Sequence, residues 1–191
     1  MPVDLWELSR LVGLRSEDPA ARSSLWAENI RHYARKGDLL SYILYVHGDK
    51  HPDIRSFCFS RHAYVMAAHM EGSAHSLINA HPESAKTLAH RSEMELWIGM
   101  ETERCFATNP DKSPMFPDAS PPSAAWIMGT LLNQAEPQAH DIRNTVAKNP
   151  RYRELFPNTR PDPKEGWEKG KWFLKRPANK TRPEATLIAM G

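Results

Sequence analysis

The chain has 191 residues, of which 40% are hydrophobic and 25% charged, a size and apolar share that suit one globular domain, or one with an extension, and exclude a chain disordered throughout. Its formal charge of +2 is unevenly spread: from Arg160 onward eight basic residues stand against four acidic ones, which leaves 17 basic and 19 acidic for positions 1–159 out of totals of 25 and 23. A near-neutral body with a basic end directs attention to local potential, because association follows the local field more than the net charge.

The opening stretch, MPVDLWELSRL, carries Asp4 and no long apolar run, so no signal peptide is expected. No segment approaches the length of apolar sequence that a membrane span needs. Cys58 and Cys105 are the only cysteines, too few for a disulfide framework. A cytoplasmic protein with free thiols and no membrane partner is the expectation.

Sixteen prolines punctuate the chain, and Pro19, Pro52, Pro82, Pro122, Pro137 and Pro150 precede helix-favouring segments. Proline suits a first helical turn, where its missing N–H has no intrahelical acceptor. Helices are predicted at about 3–13, 19–35, 38–47, 52–79, 82–107, 122–135, 137–148 and 150–156. Strand signals are nearly absent: there is no alternating β-branched run and no Asn-Gly or Asp-Gly turn. The predicted fold class is all-α, a helical bundle with two long central antiparallel helices at 52–79 and 82–107. Their apolar stripes are Ile54, Phe57, Cys58, Val65, Ala68 and Leu77, then Ala85, Leu88, Ala89, Leu96, Met100 and Phe106, both near the helical period. Trp6, Trp26, Trp97 and Trp126 fall within helical apolar patterns and are read as core anchors.

Residues 109–122, NPDKSPMFPDASPP, hold five prolines and read as an extended proline-rich connection, with Met115 and Phe116 laid on the body. The domain reading is an N-terminal bundle at 1–108, the connection at 109–122, a smaller helical part at 123–157 and an irregular basic aromatic tail at 158–191. The final TLIAMG is apolar and suits docking on the body or on a partner.

Seven of nine histidines lie between His47 and His90, so metal binding has to be weighed. Cys58 and His62 are four apart, as ligands on one helix face would be. His69 stands seven beyond His62, roughly 10 Å along a helix axis, too far to share an ion with it. Glu71 and His75 form a second i,i+4 pair, and His90 and Glu93 lie three apart on the next predicted helix. These four would converge if the chain turns at 81. The Glu-x-x-His motif of carboxylate di-metal bundles is missing, so Glu71, His75, His90 and Glu93 form an incomplete ligand set and no metal or other cofactor is expected. No catalytic residues are assigned either: no Gly-x-Ser-x-Gly, phosphate-cradling loop or dinucleotide fingerprint occurs, and Cys58 between Phe57 and Phe59 reads as a core thiol.

The densest signal is KEGWEKGKWFLKRPANKTR at 164–182, where seven Lys or Arg stand against two Glu. Lys164, Lys169, Lys171, Lys175, Arg176, Lys180 and Arg182 interleave with Trp167, Trp172 and Phe173. Cations for phosphates beside rings for bases suit nucleic acid, DNA or RNA. The expectation is a non-enzymatic binding protein that contacts nucleic acid through these ten residues, as one subunit of a nucleoprotein assembly. The alternatives are an adaptor or inhibitor that sets the same segment, the proline-rich connection, or both on an acidic protein surface, and a helical-bundle metalloenzyme built on Glu71, His75, His90 and Glu93. Arg31, His32, Arg35 and Lys36 suit a helix C-terminus, and Arg143, Lys148, Arg151 and Arg153 extend the positive charge toward 164–182.

Overall fold

A computed structural model describes residues 1–15, 17–72, 85–119, 125–128, 132–162, 167–168, 171–175, 177 and 187–190. Among them are eight helices, so the chain is predominantly α-helical, as the proline starts and apolar spacing predict. Four short strands accompany them, which the sequence did not announce. The chain forms two compact units, Met1–Glu93 and Met94–Gly191.

The first unit holds α1 (Leu5–Arg15), α2 (Pro19–Arg35), α3 (Leu39–His47), α4 (Pro52–Cys58) and α5 (Arg61–Glu71), followed by the start of α6 (Lys86–Phe106). The starts follow capping chemistry. Asp18 precedes Pro19 and accepts the N–H groups of Ala20 and Ala21, and the His51 side chain caps α4 before Pro52 in the same way. Gly37 adopts a φ of 92° just past α2, the left-handed conformation that glycine takes without steric penalty. Asp38 then caps α3 by accepting Ser41 N–H at 2.7 Å, while its other oxygen accepts Val3 N–H at 2.6 Å. One carboxylate thereby starts a helix and fixes the entering chain. Helix α3, LLSYILYVH, is apolar on nearly every side, which marks a central helix. Seven of its nine residues are buried, and α2, α4 and α5 pack against it.

The single helix predicted at 52–79 is instead two helices. Ser60 takes an extended conformation and its hydroxyl accepts Ala63 N–H at 3.0 Å, so α5 starts afresh after α4 has ended at Cys58. A serine that can bond its own backbone competes with helix continuation. The break resets the helical phase, so the stripe read across it is wrong in its second half. Val65 is 58% exposed, and Ala63, Met66, Ala67 and Met70 are buried in its place. Leu77, the turn at 81 and residues 82–84 lie outside the described residues; α6 starts only at Lys86, and Ala85, read into the second helix's stripe, precedes it with a φ of 57°.

The second unit holds the rest of α6, β1 (Ala125–Met128), α7 (Leu132–Lys148), α8 (Pro150–Leu155), β2 (Trp167–Glu168), β3 (Lys171–Trp172) and β4 (Leu187–Met190). The helix predicted to begin at 122 is replaced at 125–128 by β1. Pro137 lies inside α7 instead of starting a helix; it removes one intrahelical hydrogen bond. The strands form one sheet in the order β1-β4-β3-β2, with β4 parallel to β1 and antiparallel to β3. The apolar end of the chain is thus the inner strand β4, and α7 packs against β1 and β4. Ile98, Ile142, Val146, Tyr152, Leu155, Phe156 and Leu174 are buried here. The Tyr152 hydroxyl donates to the Glu95 carbonyl oxygen at 3.0 Å. Asn158 donates its backbone and side-chain N–H groups to the two oxygens of Glu103, both at 2.7 Å.

The buried positions of α6 include Ala89, Ser92, Glu95, Leu96, Ile98, Thr102 and Cys105, whereas Trp97 and Met100 are exposed. Trp97 is therefore not the core anchor that its helical context implied, nor is Trp6, which is 66% exposed. In the proline-rich connection a turn closes through Asn109 and Ser113, Thr108 bridges to Pro114, and Met115 N–H donates to Ala107 O at 2.9 Å. Phe116 carries the Arg104 guanidinium over its ring at 4.9 Å and remains partly exposed, as does Met115.

Candidate nucleic-acid interface

Local backbone pairing positions the basic aromatic segment. Strands β2 and β3 are two residues each, and their antiparallel register sets Trp167 opposite Trp172 and Glu168 opposite Lys171. Directly opposed positions in an antiparallel pair belong to one face of the sheet. Both tryptophan positions therefore stand at one level of the ladder, and the next pair, Glu168 with Lys171, belongs to the opposite face. Strand β3 continues the ladder into β4 through Lys171 with Ile188 and Trp172 with Leu187.

Residues 173–175 run antiparallel to 160–162. Asp162 N–H donates to Phe173 O at 3.0 Å, Lys175 N–H donates to Arg160 O at 2.8 Å, and Pro161 bridges to Leu174. The Leu174 side chain is 1% exposed, so it anchors this segment in the core of the second unit. Phe173 beside it is half-buried and Lys175 is exposed. This is the period-two pattern of an extended segment with one position inward. The expectation of an irregular tail is thus corrected where the segment is described. Backbone pairing holds Trp167, Lys171, Trp172, Phe173 and Lys175 on the second unit. Lys164, Lys169, Arg176, Lys180 and Arg182 lie outside the described residues. Of the basic residues that precede the segment, Lys148 and Arg153 are exposed.

The metal candidates fare differently. Glu71 accepts Leu39 N–H at 3.2 Å and stands 3.8 Å from the Met1 amino group. Burial pushes its carboxyl above the usual range, the Leu39 N–H opposes that, and the negative charges of Asp38 and Glu93 add to the rise. His90 Nδ1 lies 3.7 Å from Glu93 on the same helix. His75 is outside the described residues. Among the described residues no group of three or more His, Cys, Asp or Glu side chains is arranged to hold a metal ion.

The pairing of Cys58 with His62 on one helix face does not occur, because the break at Ser60 puts them on α4 and α5. Burial, with the nearby Asp38 charge second, pushes the Cys58 thiol up to about 12. Burial of this kind disfavours the thiolate, the reactive form of a cysteine. Arg55 donates to Asp49 at 2.5 Å and to Gly48 O at 3.0 Å, an assignment that uses it structurally.

Sequence reading missed a second surface feature, an aromatic cluster in the first unit. The Phe59 ring meets Trp6 edge-on at 5.4 Å and stacks on Trp26 at 5.9 Å. The only sequence signal was an aromatic next to a serine cap, which is too general to single out. Among the described residues no helix is long and apolar enough to cross a membrane. No protein-family model matches the chain, and neither a curated protein nor a solved structure does.

Proposed function

We propose that the protein is a non-enzymatic binding protein that holds nucleic acid on the segment from Trp167 to Lys175. The observation that carries this reading is the β2–β3 register, in which Trp167 opposes Trp172. Two aromatic positions at one level offer stacking sites, each worth about 1–3 kcal/mol when a base occupies it. The exposed Lys175 offers a phosphate-binding cation, with Lys171 on the other face of the pair and the further Lys and Arg of 164–182 close in sequence. The anchored Leu174 supports the reading, because a segment already ordered by backbone pairing pays less entropy on binding than a free tail.

Labelled single- and double-stranded DNA and RNA, titrated at two salt concentrations, test it. Micromolar binding at low salt is expected, with each neutralised phosphate adding about 0.7–0.9 to the steepness of the logarithmic salt dependence. Lys171→Gln with Lys175→Gln should flatten that slope. Trp167→Ala and Trp172→Ala should weaken binding at every salt concentration. Point substitutions are preferable to removal of 160–191, which would also take away Leu174 and the inner strand β4. No affinity for any of the four nucleic acids at low salt would sink the reading. One observation favours the adaptor alternative: among the described residues β2 is an edge strand, and a sheet edge can accept a peptide strand. Retention of an acidic protein by a chain that binds no nucleic acid would establish that alternative.

A further inference from the structure

Leu5, Trp6, Leu40, Phe59 and Val65 line a surface hollow of about 370 Å³ in the first unit, within the size range of small-molecule sites. Its most exposed wall is also its most firmly held. Trp6 Nε1–H donates to Phe59 O at 2.6 Å, and the indole meets the Phe59 ring edge-on, backed by Trp26. An indole that is 66% exposed and yet fixed at both ends presents apolar area to a ligand with little further ordering to be lost.

The rim supplies one charge of each sign, Asp4 and Arg61. Asp4 Oδ1 accepts the N–H groups of Trp6 and Glu7 at 3.0 and 3.2 Å, which sets the carboxylate in place at the start of α1. Its Oδ2 accepts no hydrogen bond among the described residues. Arg61 likewise has no ion pair or hydrogen bond among them, and the two do not pair with each other. Phe59 also lines a second hollow, of about 350 Å³, whose lining includes Arg22 but no acidic residue. Of the two, the first alone combines an apolar floor with both charges.

The geometry points to a site for a free apolar α-amino acid in its zwitterionic form. The ligand's side chain lies against Trp6, Leu40, Phe59 and Val65, its ammonium meets Asp4, and its carboxylate meets the Arg61 fork, which matches carboxylate geometry. This site uses first-unit residues alone and stands or falls independently of nucleic-acid binding by the second.

Calorimetric titration of the full chain near pH 6, where the α-amino group remains charged, tests the site. The probes are L-phenylalanine, L-leucine, N-acetyl-L-phenylalanine, L-phenylalaninamide and glycine. Saturable binding of phenylalanine or leucine is expected. The acetylated and amidated forms and glycine should each bind at least about tenfold more weakly. Arg61→Gln should abolish the preference for phenylalanine over its amide. Asp4→Asn, which retains a capping side chain, should abolish the preference over the acetylated form. Unchanged circular dichroism in both variants would show that the fold is intact. The inference is overturned if neither amino acid binds by about 10 mM, if the modified forms bind equally well, or if neither variant alters the preference.

Discussion

Gly99 is the position in the second unit where the addition of a single carbon tests the packing most directly. A Cβ there would stand 2.5 Å from Phe156 Cδ2, 2.6 Å from Cγ and 2.7 Å from Cε2. These atoms belong to a ring that is 2% exposed and whose other neighbours include Tyr152 at 5.1 Å between centroids. The ring cannot swing into solvent, so Gly99→Ala forces a shift of packed atoms, at about 1–3 kcal/mol for an overpacked core. Alanine in a helix interior regains about 0.5–1 kcal/mol over glycine. The net expectation is destabilisation by up to about 2.5 kcal/mol. Urea unfolding followed by far-ultraviolet circular dichroism measures it. The decisive comparison is a double-mutant cycle with Phe156→Ala, which removes every clashing atom, Cγ included. With the ring removed only the helical preference remains, so Gly99→Ala should then be neutral or stabilising. An equal loss in both backgrounds, or no loss in either, would refute the packing argument.

Two further expectations follow from burial. Leu96 is buried on α6 and Leu88 is half-buried, so Leu96→Ala should lower stability by about 2–5 kcal/mol and Leu88→Ala by clearly less; equal urea midpoints for the two variants would show that the buried face of α6 is wrongly placed. Glu71 has a folded-state pKa raised above its ordinary 4.5, so the native chain binds its proton more tightly than the unfolded chain does. Its contribution to stability is then fully present below the ordinary value and is lost as pH rises through the folded one. Glu71→Gln keeps an acceptor for Leu39 N–H and removes the titration, so the variant should gain on the wild type as pH rises from about 4 toward neutrality. A stability difference that stays constant or moves the other way, measured by urea midpoints across that range, would refute the assignment.

Much of the helical architecture was legible in the sequence because it rests on local chemistry. Asp18 before Pro19, Asp38 before an apolar run and Asn149 before Pro150 each satisfy helix N–H groups from within a few residues, so neither the start nor the kind of element waits on the rest of the fold. The centre was misplaced, however: it was read at 52–79 and 82–107, whereas the all-round apolar α3 is the helix that α2, α4 and α5 pack against. The density of Lys, Arg and Trp between 164 and 182 could be read as a candidate surface, since composition is a local property.

What tertiary structure decided is everything that depends on a distant partner. Strands β2 and β3 have two residues each, too few for a period-two pattern, and they exist through pairing with each other and with β4. Strand β4 in turn lies parallel to β1, a pairing that no local signal encodes. The opposition of Trp167 to Trp172 and the burial of Leu174 are products of that assembly. In α4 and α5 the local rule itself divides, because Ser60 can continue a helix or cap a new one, and the fold chose the cap. That choice rotated Val65 to the surface and brought Phe59 between Trp6 and Trp26. The hollow at Arg61 therefore arose from a helix break that periodicity alone reads straight through.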